Sequence, residues 1–167
     1  MSSLGRLCLM LARVLLSAWV GAATLFVING VRLVTSGHFD SMARDHLSLI
    51  RFRPYYLFGF LAVGTGLVFL ALARGYPRKL AIGLVVSSLI LMLVDYFGVY
   101  LPLAEMISPP GHVRPSHFNW YHKASMYINT VHVGLCLIAA MMVSRERRTP
   151  EVVSIPPSTV VDEAASP

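Results

Sequence analysis

Apolar residues fall into four long blocks along this chain. Uncharged runs cover Val14 to Val31 (18 residues), Pro54 to Ala73 (20), Leu80 to Val94 (15, resuming after Asp95 and continuing to Ala104) and Ala124 to Ser144 (21). A bilayer core takes about 20 helical residues per crossing, so each block predicts one transmembrane helix. Helices are expected rather than barrel strands, because backbone groups in lipid must pair within the chain and the alternating pattern of barrel strands is absent. Between the first two blocks, Phe39, Ala43, Leu47 and Ile50 recur at helical spacing opposite Arg44, Asp45, Ser48 and Arg51. This pattern predicts a short amphipathic helix lying in the membrane interface. From Thr149 the chain turns to Pro, Ser, Thr and Val with scattered acids and no helical period, which predicts a disordered tail. The predicted fold class is thus all-α: an integral membrane four-helix bundle over residues 1–148, with a short interfacial amphipathic helix and a disordered cytoplasmic C-terminal tail over 149–167.

Composition agrees with the pattern. Charged residues make up 13% of the chain and hydrophobic ones 56%, whereas soluble domains carry about 25% charged residues. The small residues Gly21, Ala22 and Ala23 behind Arg6 and Arg13 could mark a cleaved secretory signal. The apolar stretch runs on to Val31, as a full span does. Cys8 and Cys136 are too few for a disulfide framework and read as small buried hydrophobes.

Basic residues set the expected orientation. Arg6 and Arg13, then Arg74, Arg78 and Lys79, then Arg145, Arg147 and Arg148 place 2 + 3 + 3 = 8 on the side of the N-terminus. The opposite loops hold 4 + 2 = 6: Arg32, Arg44, Arg51 and Arg53, then Arg114 and Lys123. The denser side is expected to be cytoplasmic, giving a multi-pass protein of a bacterial inner (plasma) membrane with both termini inside. The net charge of +6 is then explained by topology and anionic lipid, and no nucleic-acid partner is implied. Tyr55 and Tyr56, Tyr96 and Tyr100, and Trp120 and Tyr121 mark the outer boundary as an aromatic belt.

The candidate chemistry starts at Asp95. A charge near the bilayer centre costs at least about 2.5 kcal/mol, so Asp95 is expected to face the bundle and find a partner. In the fourth block His122, Ser125, Asn129, His132 and Cys136 have a 3-4-3-4 spacing, which holds all five within an arc of roughly 80° at 100° per residue. At ~1.5 Å per residue from the cytoplasmic boundary, Asn29 lies near ~24 Å, Asp95 and Asn129 near ~22 Å and His132 near ~18 Å. These depths predict that four polar groups, Asn29, Asp95, Asn129 and His132, share one layer; the expected site is a cluster of Asp95, Asn129 and His132 supported by Asn29, Ser125 and His122. Its plain reading is structural, since Asn, Ser and His hydrogen-bond across membrane helices at about 0.6 to 2 kcal/mol each. The alternative is a proton, ion, metal or polar-ligand site built on Asp95 and His132. Haem bound between two histidines would need a second mid-membrane histidine, and His38, His46, His112 and His117 fall at or beyond the outer edge. HExxH, CxxC, GxSxG and a phosphate loop are all absent.

Several segments resemble the transmembrane-protein-205-like family, a four-span membrane domain of unknown function. They are Trp19-Val20-Gly21, Phe52-Arg53-Pro54-Tyr55-Tyr56, Tyr96 with Tyr100-Leu101-Pro102, and Phe118-x3-His122-x2-Ser125-x3-Asn129, within roughly residues 10–145. The chain departs from that pattern in carrying Asp95 where Asn is usual and in a short Pro109 to Gly111 connection. The resemblance implies the four-span architecture and no particular activity. The expected function is a non-enzymatic membrane bundle whose polar cluster serves packing and contact with an oligomer or membrane-complex partner; the alternative is a small transporter or proton- or metal-handling protein.

Overall fold

A computed structural model describes residues 2–73 and 79–145. The described residues are mainly helical and form no strand. α1 (Ser3–Thr35) starts where the Ser2 hydroxyl accepts from Gly5 N at 3.2 Å, and the chain turns beyond it at Gly37, whose φ of 68° suits a residue without a Cβ. α2 (Ser41–Leu72) starts where Asp40 Oδ1 accepts from Ala43 N at 2.7 Å. The third span is composite: α3 (Lys79–Asp95), a five-residue π-helical turn (Tyr96–Tyr100) and α4 (Leu101–Met106). α5 (Phe118–Ser144) completes the bundle. Four helical stretches are long and apolar enough to cross a membrane, the third being Lys79–Met106.

α1 packs between α2 and α5, and α3 packs between the same two neighbours on the far side. Each of the four long helical stretches buries a stripe at three- and four-residue spacing, with half-buried Asn129 filling the seven-residue step of the last. The stripes are Leu9, Ala12, Leu16, Trp19 and Ala23; Tyr56, Gly59, Val63, Gly66 and Leu70; Ala81, Val85, Ser88, Met92 and Asp95; and Ser125, His132, Cys136, Ala139 and Val143. This repeat is the seam of helices packed nearly parallel to one another with interdigitating side chains. The outward faces carry exposed Leu25, Leu57, Leu61, Ile90, Leu93, Met126 and Met141, an apolar surface suited to lipid. Arg13 Nε donates to Val143 O at 2.7 Å, which ties the start of α1 to the end of α5 and puts both on one side of the bundle.

Two predicted features are corrected. The amphipathic segment over residues 39–50 is not a separate helix lying in the interface, because α2 runs unbroken from Ser41 through Pro54. Its 32 residues span about 48 Å, longer than the roughly 30 Å that a bilayer core takes. Near its start Asp45, which was expected on an open polar face, is buried by the connection between α4 and α5. Its Oδ1 accepts from Arg114 Nη2 at 2.6 Å and its Oδ2 from Gly111 N at 3.2 Å. The third span, read as one regular helix, widens just after Asp95. Leu101 N–H bonds Tyr96 O, five residues back. Pro102 brings no N–H and needs room against the preceding turn, which a wider turn supplies. The predicted tail over 149–167 lies outside the described residues, as do Arg74 and Arg78 of the tight loop and Arg147 and Arg148.

A candidate polar site between the second, third and fifth helices

Asn129 is the hub of the site. Its Nδ2 donates to Asp95 Oδ2 and, within α5, to Ser125 O at 3.0 Å and Ser125 Oγ at 3.3 Å. Its Oδ1 lies 2.8 Å from Tyr55 Oη and 3.1 Å from His132 Nε2. The Ser125 carbonyl can only accept, which fixes which end of the amide carries the hydrogens. Asn129 Oδ1 must therefore accept, and both Tyr55 and His132 Nε2 donate to it. Tyr56 Oη reaches Asp95 Oδ2 at 2.5 Å and closes the link from α2 to α3. One turn deeper, Ser88 Oγ donates to His132 O at 3.0 Å and lies 3.0 Å from Cys136 Sγ, joining α3 to α5 again.

The network sits in the bundle's interior. Asp95, His132, Ser88 and Cys136 are each 0% exposed and Tyr56 is 1% exposed. Trp19 of α1 floors the site, lying nearly parallel to the His132 ring at 5.9 Å between centroids and 4.9 Å from Tyr55. Gly59 makes room for that indole: a Cβ at residue 59 would stand 2.6 Å from Trp19 Cη2 and 2.5 Å from Met92 Cε. Asp95 Oδ1, His132 Nδ1 and Trp19 Nε1 are buried without a hydrogen-bond partner among the described residues. No three His, Cys, Asp or Glu side chains among those residues come together as metal ligands.

Of the six expected site residues, Asp95, Asn129, His132 and Ser125 meet. His122 does not: it is exposed one turn into α5, with its ring stacked on Phe118 at 6.1 Å. Asn29 is exposed on α1 and lines a separate groove with Arg32 and Arg51. Depth alone put Asn29 in the layer, yet six residues beyond Ala23 a helix has turned well off the buried stripe. Tyr55 and Tyr56, expected as interface aromatics, belong to the site instead. The signal for Tyr56 was the 3-4 spacing that continues from it through Gly59, Val63 and Gly66. Searches against protein-family models, curated proteins and solved structures find no match to this chain.

Proposed function

We propose that this is a non-enzymatic multi-pass membrane protein whose buried network of Tyr55, Tyr56, Asp95, Asn129 and His132 fixes the register of the bundle and so shapes its contact surface for a second copy or a membrane-complex partner. The observation that carries this reading is the Asn129 amide, which joins α2, α3 and α5 through both of its ends. Such bonds hold helices together in lipid, where apolar burial gives little preference for one helix pairing over another. The α1–α2 groove takes none of the network residues into its walls. The proposal includes a bacterial inner-membrane location with both termini cytoplasmic, supported by the denser basic residues on the side of the termini. Kinship with the transmembrane-protein-205-like family belongs to the same proposal.

A second reading, a transporter or proton-handling protein, is favoured by one observation. Asp95 Oδ1 and His132 Nδ1 are fully enclosed yet unpaired among the described residues, whereas a purely structural network tends to pair every polar atom. His132→Gln separates the two, because Gln keeps a side-chain amide for hydrogen bonding but does not titrate near neutrality. Proton uptake by purified wild-type and variant protein is compared between about pH 5 and 8. Identical curves support the scaffold; loss of an uptake step in the variant supports proton handling and overturns the scaffold as the whole function.

A further inference from the structure

The connection between α4 and α5 crosses the end of the bundle opposite the Arg13 to Val143 bond, and one residue of α2 holds it there. Asp45 is 3% exposed, and both of its oxygens go to the connection, Oδ1 to Arg114 Nη2 and Oδ2 to Gly111 N. The Arg114 guanidinium also lies 4.7 Å from the centroid of the Phe118 ring, at the start of α5. Apolar burial adds little: from Leu101 to His117 only Ile107 is buried. One end of this segment joins α3 through the π-helical turn, and the other enters α5 with no side-chain cap among the described residues. Few buried apolar contacts and irregular backbone at both ends mark a segment that opens at low cost.

The polar network lies beneath this segment. Asp45 precedes Tyr56 by eleven residues on α2, which puts the two within about 20° of each other around the helix and about 16 Å apart along it. Between them Tyr100, the last residue of the π-helical turn, stacks on Phe52 at 5.5 Å and stands 5.1 Å from Tyr56 between ring centroids. We infer that residues 101–117 form a lid over the Asp95 network, hinged at the π-helical turn and latched by Asp45 on Arg114, which admits water and small polar solutes only when the latch parts. Opening at that hinge carries Tyr100 off Phe52 and uncovers Tyr56 with its bond to Asp95. The ion pair suits a latch, because opening returns a buried carboxylate to water and that hydration offsets much of the attraction lost. The lid stands whether the network beneath it is a scaffold or a proton site.

The test is the rate at which a water-soluble methanethiosulfonate labels a thiol placed under the lid by Ser125→Cys, in the purified full chain in detergent. Ser125 is 8% exposed and is bonded to Asn129. Peptide mapping by mass spectrometry reads position 125 apart from Cys8 and Cys136. Arg114→Gln and Asp45→Asn are added singly to this parent; they break the ion pair from opposite sides, and Asp45→Asn keeps an oxygen for Gly111 N. Lys123→Gln removes a charge from an exposed position on α5 as the control. A thermal melt verifies that each variant is folded at the labelling temperature. Both latch variants are expected to be labelled about tenfold faster than the parent, and Lys123→Gln at the parent's rate. Unchanged rates in both overturn the latch, and acceleration in one alone assigns the effect to that residue's other contacts and overturns it too. A parent labelled as fast as a thiol placed by Ser116→Cys on the exposed connection would show that no lid covers the network. Labelling reads access and not proton uptake, so its outcome is separate from the choice between the two functional readings.

Discussion

Replacing Asn129 with Leu should destabilise the bundle more than any substitution of similar size on its outer face. The change deletes the bonds to Asp95 and Ser125, and it strands Tyr55 Oη and His132 Nε2, whose acceptor is the lost oxygen. Hydrogen bonds across membrane helices average about 0.6 kcal/mol and reach about 1.7, and a buried donor left unpaired costs about 1 to 3 kcal/mol. One lost interhelical bond and two stranded donors together give roughly 2 to 5 kcal/mol, since the interior relaxes in part. For a chain of this length that is on the order of 4 to 20 °C in Tm. Thr130→Leu is the matched control, because Thr130 is exposed on the neighbouring position and its hydroxyl bonds Met126 O of its own helix. The assay is thermal unfolding of both variants in one detergent, monitored by circular dichroism and by Trp fluorescence. If Asn129→Leu melts within about 1 °C of Thr130→Leu, the network carries no appreciable stability and the reasoning fails.

Asp95→Leu should likewise cost more than Ser87→Leu on the same helix, because Tyr56 and Asn129 lose their shared acceptor; equal melting temperatures would contradict this. Gly59→Ala should destabilise by about 1 to 3 kcal/mol through overpacking against Trp19, whereas Gly64→Ala, with nothing within 4 Å of the new methyl, should be neutral or mildly stabilising; equal effects would mean that the indole moves aside freely. Arg114→Ala should leave buried Asp45 with only the Gly111 amide and speed hydrogen exchange across residues 107–117 by about tenfold; unchanged exchange would show that the connection is held by other contacts. A reporter fused after Arg148 should be cytoplasmic and one inserted at Gly111 extracytoplasmic; the reverse pattern would invert the proposed orientation.

The spans were legible because their signal is cumulative: about 20 uncharged residues in lipid allow few alternatives to a helix. The inward face of α5 was legible for a similar reason, since polar residues at 3-4 spacing on an apolar helix can only be turned away from lipid. His122 shares that spacing but lies near the start of α5, where its side chain is exposed and stacks on Phe118. Asn29 shows that depth without rotation about the helix axis does not place a side chain. Tyr55 and Tyr56 were hidden by an ambiguity of chemistry, because a ring with a hydroxyl suits both the interface and a buried polar site. Pro54 concealed the true start of α2, since a proline reads as a helix boundary more often than as a position inside one. The wide turn after Asp95 had only Pro102 as a hint. Its effect is geometric: an extra residue in the turn rotates the residues beyond it, and Val99 and Tyr100 both come to be buried after Asp95.

The most direct test of the network as the element that fixes the bundle is a double-mutant cycle between Tyr56 and Asp95. Tyr56→Phe, Asp95→Leu and the double variant are unfolded reversibly in detergent beside wild type, and the coupling energy is taken from the four stabilities. The hydrogen bond from Tyr56 to Asp95 predicts a favourable coupling of about 0.6 to 1.7 kcal/mol. A coupling of zero, with the two single losses simply adding, would contradict the account, because the bond between Tyr56 and Asp95 would then contribute nothing to holding α2 against α3.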